Sequence, residues 1–395
     1  MSARHRSRAI AAIIAATALS VSVAGPVWAA LGVVATIVLP GSAGPSGLAV
    51  SPDGTKVYVA HTGTDTVEVI DAATGTLAAT PIALPGSASP GSVAFSPDGT
   101  KAYVANSFSH TVSVIDVATD TVTSTIVLPV GSGPYAVRFS PDGAKAYIAN
   151  ADNDTISVID GATDLLDPTV IALPAGSYPV AVSFSPDGTK AYVANYFTDT
   201  ISVITVATDT LSATVIALAP GSAPHSVEFS PDGVLLATAD RAGGLLVWEA
   251  DTAREFYNLE GHKDAVTDVS WRSDSNVLAS ASADGSIKLW NMENGRLLKS
   301  MTAHPGGVSS IQFARDGRLA SAGRDRQVKL WGPGGNLLRT FQAFAEPCMK
   351  VAITHDGSRV IAGDWSGEIR LWNAADGKRI TLLPSNPTGT QKSGK

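Results

Sequence analysis

The chain has 395 residues, of which 45% are hydrophobic and 16% charged, and its formal net charge is −7. That length suits two average domains or one large repeat architecture, and the apolar content suffices for a substantial core. The acidity argues against nucleic acid as a partner, since such proteins present basic surfaces to phosphate. The charge is unevenly spread: residues 31–233 carry 5 Lys and Arg against 18 Asp and Glu, whereas residues 234–395 carry 20 against 17. The 37 Gly and 23 Pro demand many turns, and no amphipathic helical period shows beyond the first 30 residues. The expected class is all-β.

In chain order, Arg4, Arg6 and Arg8 form a basic head, Ala9 to Ala24 is an apolar run, and Val27-Trp28-Ala29 offers small residues at cleavage spacing. This predicts a signal peptide over 1–29 and a secreted, periplasmic or cell-surface protein, with an uncleaved anchor as the alternative. No Cys follows the run, so a lipid anchor is not expected, and no later segment is expected to span a bilayer. Val33 to Leu39 reads as a strand that closes the last repeat. Arg379 to Leu383 competes for the same slot, and the sequence leaves the choice open. The polar tail 385–395 is expected to be disordered.

Between these ends the turn Ser-Pro-Asp-Gly stands at 51, 96, 140, 185 and 230. Degenerate copies follow at Arg272, Ala314 and Thr354, which makes eight units of 40–45 residues. Such a period suggests propeller blades. In the second unit, Ser92 to Phe95 leads into the turn, then Lys101 to Ala105, Thr111 to Ile115 and Thr121 to Leu128 follow. Pro presets φ and Gly supplies the positive φ of a tight hairpin. Strands such as VYVA and VEVI are apolar on both faces and must be covered on both. A single eight-bladed β-propeller of four-stranded antiparallel blades, spanning 30–384, satisfies them by stacking blade on blade. Cys348 is the only cysteine, so no intrachain disulfide is possible, and it is expected to be a small buried hydrophobe.

YVAH at 58–61, YVAN at 103–106, YIAN at 147–150 and YVAN at 192–195, each followed by a TVxVID-like strand, resemble YVTN-type propeller repeats over about 31–233. That resemblance implies a propeller in an exported or cell-surface setting, without a single activity. Residues 257–373 resemble WD repeats instead. The structural hydrogen-bond chain of that family carries over to Trp290, Ser280, His262 and Asp284, and to Trp331, Ser321, His304 and Asp325. The unit ending at Trp248 keeps Thr238 but has Ala242 for the acid. The last unit keeps Trp372 but has Ala362 and Ser366 at the hydroxyl and carboxylate positions and lacks the His. Those two blades are expected to rely on packing. The mixture is either a recombination of propeller pieces or a constructed sequence.

No nucleotide-binding loop, serine-hydrolase elbow, zinc-protease motif or paired-Cys site is present. Asp152-Asn153-Asp154 reads as a solvated turn, because the ladder of calcium ligands stops there. His61, His110, His225 and His355 fall on different blades, so no metal or other cofactor is expected. The loops before the innermost strands and those between second and third strands open on one face. They carry Phe108, Tyr135, Tyr178, Tyr196, Phe197, His225, Arg241, Arg324, Arg326 and Trp365. Aromatics and Arg are the usual anchors of interfaces. The sequence therefore predicts a non-enzymatic, monomeric scaffold binding a protein or a cell-envelope glycan through this face. The alternatives are a hydrolase acting at the channel mouth, as in lactonase-type propellers that resemble the YVTN units, and a structural cell-surface component.

Overall fold

The computed structural model describes residues 36–37 and 45–380, except 73, 75, 79, 355, 367 and 378. The expected leader over 1–29, the tail 385–395 and His355 lie outside the described residues. Eight antiparallel sheets stand in a closed ring, each one blade, and no helix occurs among the described residues. Blade 3 is representative: Pro134–Phe139 is innermost, followed outward by Lys145–Asn150, Thr155–Asp160 and Ile171–Ala172.

The two-sided strands divide their side chains between neighbours. In Lys56–His61, Val57 and Val59 pack toward blade 8, while Tyr58 and Ala60 pack toward blade 2. Alternation with period two thus feeds two cores rather than a core and a solvent face. Eight apolar clusters result, one between each adjacent pair of blades. The last joins Ala352, Ile361, Ile369 and Leu371 of blade 8 to Leu48, Val57, Val59 and Ile70 of blade 1. Cys348 is buried in the cluster between blades 7 and 8.

Both candidate closing segments are used. Thr36 and Ile37 pair with Arg370 and Ile369, while Arg379 and Ile380 pair with Trp372 and Leu371. The two lie end to end along the same edge of Ile369–Asn373, so neither is redundant. A short strand from each terminus thereby completes one outer edge.

The YVTN-like blades are riveted by their tyrosines. Tyr58, Tyr103, Tyr147 and Tyr192 pack on Phe95, Phe139, Phe184 and Phe229 of the following blade, with ring centroids 4.5–5.1 Å apart. The hydroxyls of Tyr58, Tyr103 and Tyr147 donate to Asp120, Asp164 and Asp209 at 2.5 Å. Lys56, Lys101 and Lys145 reach the same carboxylates at 2.6–2.8 Å. At the change of repeat style, Tyr192 donates instead to the Ala250 carbonyl, and the acid, Asp251, is exposed. At the seam between blades 8 and 1, Arg359 takes the lysine's place and donates to the Ala72 carbonyl at 2.6 Å.

Candidate functional site

On one face, the loop between the second and third strands meets the loop that crosses to the next blade. One acceptor ties each pair. Asp65 accepts the Ser89 amide at 2.6 Å, and Asp154 accepts those of Gly176 and Tyr178 at 2.7 and 2.8 Å. Asp199 accepts those of Gly221 and Ala223 at 2.7 Å. In blade 2 the acceptor is His110 Nδ1, 3.0 Å from the Gly133 nitrogen. Ser89, Gly133, Tyr178 and Ala223 all adopt positive φ just before the Pro that opens an innermost strand. A non-glycine residue there costs roughly 1–2 kcal/mol, and the bond from its own amide to Asp154 holds Tyr178 at φ 52°.

Tyr178 so held meets the blade 4 loop. Its ring lies 4.9 Å from that of Phe197 and 6.5 Å from that of Tyr196, and the latter two are 5.1 Å apart. Arg241 of blade 5 donates to the Tyr196 hydroxyl at 2.7 Å. Tyr135 packs against the same apolar cluster as Tyr178. Burial pushes the Tyr178 phenol up to about 12, and the nearby Asp152 carboxylate adds to the shift. Burial also raises the Tyr135 phenol. Desolvation raises the Asp152 carboxyl above its ordinary value, against the pull of His110. Asp152 lies directly over Gly133, where a Cβ would stand 2.2 Å from its Oδ2. Among the described residues, none hydrogen-bonds the Tyr135 hydroxyl, the Tyr178 hydroxyl or the Asp152 carboxylate.

Five of the sequence-predicted residues, Tyr135, Tyr178, Tyr196, Phe197 and Arg241, thus come together over blades 3–5. Phe197 is 56% exposed and Tyr196 only 5%, so Phe197 offers the accessible surface while Tyr196 supports it. His225 is buried rather than displayed. Its ring bonds the main chain of Val266 on the next blade, and burial depresses its pKa to about 4. Phe108, Arg324, Arg326 and Trp365 are exposed on blades 2, 7 and 8. Among the described residues, no ring contact or ion pair links these four to the cluster. The sequence presents Asp152 only as part of a solvated turn. It occupies the loop position of Phe108 and Phe197, two residues after the buried Asn, and that alignment is the signal that could have singled it out. Its neighbours are committed elsewhere: Asp154 to backbone amides, and Asn153 to Thr155 at 2.8 Å.

The WD-type networks form as expected. His262 Nε2 lies 2.7 Å from Ser280 Oγ and its Nδ1 3.2 Å from Asp284, while Trp290 donates to Ser280 at 2.9 Å. His304 repeats this with Ser321 at 2.7 Å and Asp325 at 2.8 Å, and Trp331 donates to Ser321 at 2.8 Å. Burial lowers both imidazole pKa values, although the carboxylates pull the other way. Burial opposes the charge on Asp284, yet bonds from Ser286, the Lys263 amide and His262 hold its carboxyl well below the usual range. Trp248 keeps its bond to Thr238 at 3.0 Å, but the Trp372 indole nitrogen is buried without a partner between Phe341 and Phe344. Blades 5 and 8 also regain a carboxylate two residues upstream of the missing one. Asp240 accepts the Gly244 amide at 2.6 Å, and Asp364 accepts those of Ser366 and Glu368 at 3.0 and 2.9 Å.

A cavity of about 750 Å³ lies on the axis, lined by all eight innermost strands near their Ser-Pro ends. Arg138, Glu228, Asp268 and Lys350 project charge into it. Asp268 accepts from Lys350 at 3.3 Å and from the Ile311 amide at 3.0 Å, while Arg138 is drawn electrostatically to Glu228. Burial raises the Asp268 carboxyl despite these partners. Among the described residues, no group of three or more His, Cys, Asp or Glu is placed to hold a metal ion.

The family described as "Lactonase, 7-bladed beta-propeller" matches residues 30–123 and 119–251. The family described as "WD domain, G-beta repeat" matches residues 254–291, 295–332 and 335–373. The switch between them falls within the strands of blade 5. No curated protein matches the chain. A crystal structure of the computationally designed Ika8 protein superposes with a TM-score of 0.71 at 21% identity, covering 85% of this chain and 98% of that one. That likeness concerns the fold alone.

Proposed function

The chain belongs to the family described as lactonase, 7-bladed β-propeller, although its ring has eight blades, and within that fold we propose, from the loop face rather than from the family's name, that it is an exported, non-enzymatic scaffold whose loop face binds a protein or a cell-envelope ligand. The observation that carries this reading is the contact between Tyr178, Tyr196 and Phe197, with Arg241 fixed on Tyr196. Regular positions of the repeat maintain the ring, whereas these irregular ones differ blade by blade. Rigid aromatic anchors with a neighbouring Arg lose little conformational entropy on binding. Envelope extract passed over the immobilised protein tests the reading, with a Tyr178→Ala/Phe197→Ala variant in parallel. Capture that the variant loses supports it; equal capture by both proteins ends it.

A second reading draws on the family match itself: hydrolysis of a small lactone in the axial cavity. Asp268 is already engaged by Lys350 and Ile311. Glu228 and Arg138, drawn to each other, also face the cavity from blades 5 and 3 and are the charged groups there that a lactone would meet beside Asp268. Turnover of a panel of simple and sugar lactones, abolished by Glu228→Gln, would replace the scaffold reading.

A further inference from the structure

We propose that the cluster over blades 3–5 is a saccharide site, stacking a neutral sugar ring on Phe197 beside Tyr178 and taking its hydroxyls on Asp152, Tyr135 and Arg241. The inference rests on the reading above that this face binds a ligand, and it names the ligand's chemistry.

The ring spacing comes first. Centroid separations of 4.9 and 5.1 Å mean that the rings touch one another. Their planes are inclined, at 49° between Tyr178 and Phe197 and 76° between Tyr196 and Phe197, so the rings pack edge against face and leave Phe197, 56% exposed, as the open one, not as a wall of the box that would surround a quaternary ammonium ion. One supported, open aromatic face suits a flat face of C–H groups, which a pyranose ring presents. Polar groups come second. The Tyr135 and Tyr178 hydroxyls and the Asp152 carboxylate lack protein partners among the described residues, with the two tyrosines half-buried and Asp152 exposed beside them. Polar groups in such a setting gain most from a ligand that is itself rich in hydroxyls. A carboxylate can accept from two adjacent hydroxyls, and phenols can donate or accept. Charge comes third. Asp154 and Asp199 are spent on the backbone amides of these loops, which leaves Asp152 and Arg241 as the charged groups not so engaged, one of each sign.

Titration calorimetry with soluble hexasaccharides of β-1,4-glucose, β-1,4-N-acetylglucosamine and α-1,4-glucose, beside choline as the cationic control, tests the proposal. At least one sugar should bind. Phe197→Ala should weaken it about ten-fold, the equivalent of one aromatic stacking contact. Phe197→Trp should retain binding, Asp152→Asn should weaken it, and unchanged melting would show that each variant is folded. Binding of choline alone, or of none of these probes, overturns the saccharide assignment. Periodate oxidation of the envelope extract, which cleaves vicinal diols, separates the two levels of inference. Capture abolished by periodate supports the sugar. Capture that survives periodate but is lost in Phe197→Ala overturns the sugar and leaves the binding face. Capture indifferent to both overturns both.

Discussion

The Tyr147 hydroxyl of blade 3 donates to the Asp209 carboxylate of blade 4 at 2.5 Å, across an interface that Tyr147 also fills with its ring. Lys145 grips the same carboxylate at 2.6 Å, and blades 2, 3 and 4 each have one turn carboxylate clamped in this way by the blade before. Tyr147→Phe keeps the packing on Phe184 and removes only the hydrogen bond. It should cost about 1.5–3 kcal/mol in urea denaturation, the value of a bond to a charged acceptor. Tyr147→Ala should cost about 3–5 kcal/mol through the cavity it leaves. Equal losses would show that the hydroxyl, not the ring, holds the blades.

The two tryptophans Trp331 and Trp372 differ in one bond. Trp331 donates to Ser321, while the Trp372 nitrogen is buried without a partner. Replacing the indole N–H by sulfur therefore removes a hydrogen bond at one site and an orphaned donor at the other. With 3-benzothienyl-alanine at each position, stability should fall by about 1 kcal/mol at Trp331 and hold or rise at Trp372. Thermal melting of the two variants decides it.

His304 links Ser321 to Asp325 and is fully buried. His304→Ala should lower stability by about 1–3 kcal/mol, because both partners lose a bond inside the protein. A melting temperature indistinguishable from wild type would remove the network from the list of stabilising features.

Burial depresses the imidazoles of His225, His262 and His304. They are neutral in the folded ring at neutral pH, whereas an unfolded chain protonates them near the ordinary value of about 6.5. Below that value the unfolded state binds more protons, so stability is complete above it and declines as pH falls toward the folded values. Asp284 and Asp325, also depressed, extend the decline below about pH 4. The urea midpoint should be lower at pH 5 than at pH 7.5, with a net uptake of protons on unfolding. A midpoint that rises over that interval contradicts the assignment.

Lys350 is the cation beside buried Asp268 on the channel wall. Lys350→Met leaves that carboxylate with the Ile311 amide but no counter-charge, and should cost about 3 kcal/mol. Adding Asp268→Asn should recover part of the loss, and a double-mutant cycle in urea measures the coupling.

Much of this protein follows from its order of residues alone. The eight Ser-Pro-Asp-Gly-like turns and strands apolar on both faces leave a stacked ring as the arrangement that covers every sheet. The spacing of His262, Ser280, Asp284 and Trp290 likewise specifies a network within one blade, because short-range pairing puts those residues at one edge of one sheet. Contacts between blades were less legible. Tyr58 and Asp120 lie 62 residues apart, and no local pattern says that they meet. Asp152 reads as an ordinary loop acid until blade 3 is set beside blade 4 and Tyr178. The two closing strands compete for one slot in the sequence and share it in space, since each pairs with a different half of Ile369–Asn373. Local chemistry determined the repeated unit. What each unit presents to its neighbour depends on ring closure, which brings together side chains that the chain itself keeps far apart.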